Sequence, residues 1–138
     1  MLLVSPEKIA AVMALAPLPH SFAELDEMVA RGLPKGALKA SIDHICVSAE
    51  ARRQLGEIDA AAADLDLALL IARRLQGDKP YSSHVGRTLA ALQKVLVARG
   101  QAAQARRVAA EATQALEQAL GAEHPETRQT RAAATPPP

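Results

Sequence analysis

Apolar positions recur with a helical period along most of this chain. Leu38, Ile42, Ile45 and Ala49 follow at spacings of four, three and four, which places them on one helix face. The clearest stripe comes next: Ile58, Ala61, Ala62, Leu65, Ala68, Leu69, Ala72 and Leu75. Leu67, Leu70 and Ile71 widen it past half the circumference, so this helix must be covered on more than one side. Val85, Leu89, Leu92 and Leu96 make a further stripe that stops at Gly100. Ala105, Val108, Ala109, Ala112, Ala115, Leu116, Ala119 and Leu120 make the last long one. Gly77-Asp78-Lys79-Pro80 and Gly121-Ala122-Glu123-His124-Pro125 break the chain between stripes.

The front of the chain predicts a helical pair. One helix runs from Pro6 to Ala16, where Pro17 and Pro19 stop it. Ser21-Phe22-Ala23-Glu24 is a capping-box pattern, and Gly32 suits the end of the helix it opens. Leu33-Pro34 forms a turn, and a third helix starts near Lys35. The apolar run Ile9–Ala16 ends in an Ala-x-Ala shape, as a signal peptide would. However, Ser5-Pro6-Glu7 stands where a basic segment should be, and it reads better as a helix start. No apolar run reaches the roughly 18 residues needed to span a bilayer, so no membrane partner is expected.

Composition sharpens this picture. Apolar residues are 49% of the chain, but much of that is alanine, and aromatics are 1%. Alanine favours helix and buries little area, so close-packed helices are favoured over strands. The net charge of +1 is spread along the chain, with no long basic run to attract nucleic acid. A single cysteine, Cys46, excludes an intrachain disulfide and fits a reducing, cytoplasmic setting.

The helical pairs repeat. Gly56 matches Gly100, Ala61 matches Ala105 and Ala68 matches Ala112, each at an offset of 44. Leu75 with Leu120, Asp78 with Glu123 and Pro80 with Pro125 match at 45, which predicts one extra residue near the end of the later second helix. A glycine between helices permits a tight turn, and small residues beyond it let the second helix lie close. Such units bury their faces by stacking. The expected fold is therefore all-α: helix-turn-helix repeats stacked as a short α-solenoid, preceded by an N-terminal helical pair. The expected division is an N-terminal helical segment at 1–40, a repeat stack at 41–131 and a disordered proline-ended tail at 132–138. Two clear repeats, where about three are usual, make self-association a further expectation.

Gly100, Ala105, Ala112 and the run Ala115-Leu-Glu-Gln-Ala-Leu-Gly-Ala-Glu-His-Pro-Glu-Thr127 resemble the tetratricopeptide repeat. The likeness is to the longer, kinesin-light-chain type, with its Leu-Gly-x-x-His-Pro-x-Thr loop, and covers about residues 42–131. In the earlier unit Ser48, Ala49 and Arg52 replace the bulky first-helix residues of that pattern. A second stretch, Ser21–Leu38 with Val29-Ala-Arg-Gly-Leu-Pro34, resembles the N-terminal part of Xre/MbcA/ParS-type antitoxins. That likeness implies a toxin partner and the capacity to bind operator DNA.

The tetratricopeptide resemblance implies that first helices line a partner-binding groove. By position, its residues are Asp43, Cys46, Glu50 and Arg53, then Arg87, Ala90, Lys94 and Val97. Arg87 and Lys94, seven apart, share a helix face that suits a carboxylate-bearing protein or peptide partner. Little else carries chemistry. His44, His84 and His124 recur at 40, not at the repeat length, and His44 and Cys46 lie about 200° apart on a helix, so no metal is expected. Ser82-Ser83-His84 lacks a third partner, and no glycine-rich phosphate loop occurs. No cofactor and no catalysis are expected. The Arg52-Arg53, Arg73-Arg74 and Arg106-Arg107 pairs lack interleaved aromatics, which argues against nucleic-acid binding. The leading expectation is a non-enzymatic protein-protein interaction module, such as an adaptor or scaffold. The alternative is an antitoxin-like regulatory protein.

Overall fold

The computed structural model describes Glu27, Ala30 and residues 35–136. Within them the chain is all-α, with no strand: α1 is Lys35–Gln54, α2 Ile58–Gln76, α3 Ser83–Ala98, α4 Ala102–Leu120 and α5 Pro125–Ala134. Apart from Glu27 and Ala30, which are helical, the two helices predicted before Gly32, and most of the antitoxin-like stretch, lie outside the described residues. Residues 40 and 41 fall within α1, which runs through them unbroken. The chain divides into two compact units after Leu75.

The first unit is a helical hairpin. Leu38, Ile42, Ile45 and Ala49 are all buried, as their spacing requires. Ala61, Ala62, Leu65, Ala68, Ile71 and Ala72 form the buried side of α2. The turn between the helices is closed by Gly56 N–H donating to the Arg53 carbonyl (3.1 Å) and Glu57 N–H donating to the Arg52 carbonyl (2.8 Å). This crossed pair of bonds is a Schellman motif, and Gly56 takes the left-handed φ of +83° that the motif needs. Across the hairpin, Arg52 Nε lies 3.3 Å from Asp64 Oδ2.

Asp64 sits in a shielded position. Burial pushes its carboxyl above the ordinary carboxylate range, and the Arg52 guanidinium draws it partly back. The folded chain therefore holds this proton more tightly than the unfolded chain does. Linkage then requires stability to fall as pH rises from the ordinary carboxylate value through the raised one, and to gain as pH drops back. Urea-unfolding free energies of wild type and Asp64→Asn, followed across that window, should show this slope in wild type and its loss in the variant. Parallel curves would remove Asp64 as its source.

The second unit contains α3, α4 and α5. Gly86, near the start of α3, lies against Leu116 and Ala115, near the end of α4, so the two helices run antiparallel along their length. The turn between them repeats the first. Gly100 N–H donates to the Val97 carbonyl (3.0 Å), Gln101 N–H to the Leu96 carbonyl (2.9 Å), and Gly100 has φ +79°. Every donor and acceptor stands 44 residues after its counterpart in the first hairpin. Ala61 and Ala105, and Ala68 and Ala112, are all at 0–1% exposure.

The offset of 44 also holds beyond these positions. Both second helices have 19 residues, and Gly77 and Gly121 follow them at the same spacing. The extra residue expected near the end of the later second helix is therefore absent. The difference lies in the loops, residues 77–82 against residues 121–124. Pro80 stands before α3, whereas Pro125 is the first residue of α5, so the two prolines are not equivalent. Residue-type matching failed here because loop residues obey no helical period. Leu75 and Leu120 are both half-buried.

Helix α5 continues through Ala134, three residues into the segment expected to be a disordered tail. It packs on α4 through polar groups: Thr113 Oγ1 is 2.9 Å from Thr130 Oγ1 and 2.7 Å from the Ala109 carbonyl, and Thr130 Oγ1 is 3.0 Å from the Thr127 carbonyl.

Candidate interaction face

Helix α3 is set by the Ser82 hydroxyl, which accepts the Val85 amide hydrogen (3.3 Å) and caps the first turn. Val85, Gly86, Thr88, Leu89, Val95 and Leu96 are its buried residues. That leaves Arg87, Ala90, Lys94 and Val97, at spacings of three, four and three, along the opposite side. Arg87 and Lys94 are exposed and Ala90 is half-buried. Val97, the penultimate residue of α3, is 53% exposed.

Arg87 is already engaged. Its Nε lies 3.1 and 3.2 Å from the two Glu126 carboxylate oxygens, and its Nη2 3.0 Å from Oε2. This two-pronged pair ties the start of α3 to the start of α5. A partner carboxylate would have to displace Glu126 to reach Arg87. Lys94, two turns further along, is the cation this face presents beside Ala90 and Val97.

On α1, Asp43 is exposed while Cys46, Glu50 and Arg53 are half-buried. Arg53 holds both Glu50 oxygens, at 3.0 and 2.6 Å, and Gln54 Nε2 donates to Glu50 Oε1 at 3.1 Å. Donating these hydrogen bonds to Glu50 raises the Arg53 pKa further, so that side chain stays charged. Glu50 and Arg53 thus form an internal pair. Val47, beside them, is 44% exposed.

Two residues that matter here were only partly foreseen. His124 is the N-cap of α5: its Nδ1 accepts the Glu126 amide hydrogen (3.2 Å). The proline that follows it marks a cap position, since proline is favoured at the first helical residue. Glu126 as the partner of Arg87 had no local signal, because 39 residues separate them.

Among the described residues no three histidine, cysteine or acidic side chains stand together as metal ligands, and no helix is long and apolar enough to cross a membrane. The fold and this face define an all-α chain of consecutive antiparallel helical hairpins. No family model, no curated protein and no solved structure matches the chain.

Proposed function

We propose that this chain is a non-enzymatic protein-protein interaction module, a short tetratricopeptide-like α-solenoid that holds an acidic segment of a partner against α3. The repeated Schellman turn, with the same bonds 44 residues apart, is the observation that carries this reading. It supports the reading that one supersecondary unit is used twice, which is how repeat proteins build extended binding surfaces. Lys94 supplies the charge, and Ala90 and Val97 supply an apolar strip on either side of it. Arg87 is a positioning residue, because its guanidinium is filled by Glu126.

The test uses the full chain to select binders from a displayed library of short peptides, half of them acidic. Acidic peptides should be enriched. Lys94→Glu should weaken an enriched peptide by about tenfold while leaving the melting temperature unchanged. Unchanged affinity would remove the site. Binding of duplex DNA with a steep loss of affinity on added salt would favour the antitoxin-like alternative instead.

A further inference from the structure

We propose that His124 is a proton-operated latch for α5, closed while its imidazole is neutral and loosened on acidification. The geometry rests on one acceptor. His124 Nδ1 takes the Glu126 amide hydrogen at 3.2 Å, and an imidazole nitrogen accepts only when it carries no proton. Helix caps are usually Ser, Thr, Asn or Asp, none of which changes state near neutrality. Imidazole ordinarily titrates between about pH 5 and 8. A proton on Nδ1 would remove the cap and place a positive charge at the positive end of the helix dipole.

One group opposes this, and it is itself occupied. The Glu126 carboxylate lies 3.7 Å from Nδ1, and among the described residues it is the charged group that pairs with the imidazole. The same carboxylate holds Arg87 of α3 by three contacts. An imidazolium would gain Glu126 only by sharing it with Arg87, which weakens the tie between α3 and α5. From α4, Glu117 lies 3.9 Å from Arg131, and Arg131 donates to the Ala122 carbonyl at 3.2 Å. The backbone next to the latch is tied by the Arg128 amide, which donates to the His124 carbonyl at 3.0 Å.

Helix α5 is the element for which a cap matters most. It has ten residues, shorter than the roughly 12–15 an isolated helix needs. Its buried residues are Thr127 and Thr130, with no large aliphatic side chain among them. The Thr127 hydroxyl has no hydrogen-bond partner, which detracts from the packing it contributes. Loss of one cap therefore acts on a helix with little apolar anchoring of its own.

Amide hydrogen exchange on the full chain, expressed as protection factors, tests the latch. Between about pH 7.5 and pH 5.5 protection of the α5 amides should fall about fivefold, while that of α1 and α2 stays level. In His124→Asn, which keeps a capping oxygen but does not titrate in this range, α5 protection should be the same at both pH values. Glu126→Gln should retain the pH effect, because the cap bond is unchanged. Equal α5 protection at both pH values in wild type would overturn the proposal. So would persistence of the effect in His124→Asn, or its disappearance in Glu126→Gln.

Discussion

Leu116→Ala should lower the unfolding free energy by about 3 kcal/mol, within the usual span for a buried leucine cut back to alanine. Leu116 is at 0% exposure, and its side chain lies directly over Gly86 of α3. A Cβ added at Gly86 would come within 2.8 Å of both Leu116 Cγ and Cδ2, and 3.3 Å from Ala115 Cβ. Gly86→Ala should therefore also destabilise. Overpacking costs about 1–3 kcal/mol, against a helix-propensity gain of at most about 1 kcal/mol for replacing a glycine in the first turn of α3. The two losses should not add. In the double variant the new methyl enters space that the leucine has vacated, so the pair should be coupled by about 1 kcal/mol or more. Urea denaturation of the four proteins gives the cycle directly. Additive losses would mean that α3 and α4 do not approach at Gly86.

Gly56→Ala and Gly100→Ala should each cost about 1–2 kcal/mol, and the two costs should agree. Both glycines hold a left-handed φ, +83° and +79°, at the end of a first helix. Nothing lies within 4 Å of where either Cβ would sit, so the penalty comes from the backbone alone. Asparagine should cost less than alanine at both sites, because its side chain tolerates this conformation better. Equal penalties follow if one turn is used twice. A penalty at one glycine and none at the other would mean that the resemblance between the hairpins stops at their hydrogen bonds.

The helices themselves were legible because helical periodicity is a local property. The stripes Leu38–Ala49, Ile58–Leu75, Val85–Leu96 and Ala105–Leu120 each fall on an observed helix. Turn glycines were legible for a related reason: a left-handed residue between two apolar stripes selects glycine whatever surrounds it. The loops were less so. The alignment of Pro80 with Pro125 failed because two loops of different length follow helices of equal length. Ala132–Ala134 looked like a tail, yet they continue α5.

The candidate face divides the same way. Its placement on α3 followed from spacing, since residues 87, 90, 94 and 97 must share a side of any helix that contains them. Its electrostatics did not. Arg87 read as a free cation in the sequence, and folding paired it with Glu126, 39 residues later. Glu50 and Arg53, both placed on the candidate face, are paired with each other.

By itself, then, the order of residues determined which segments coil and where they turn, because backbone preference and apolar period act over a few neighbouring positions. Tertiary structure alone decided how near α3 comes to α4 and that Arg87 meets Glu126. Those features depend on distances between residues far apart in the chain, and such distances exist only once the helices have packed.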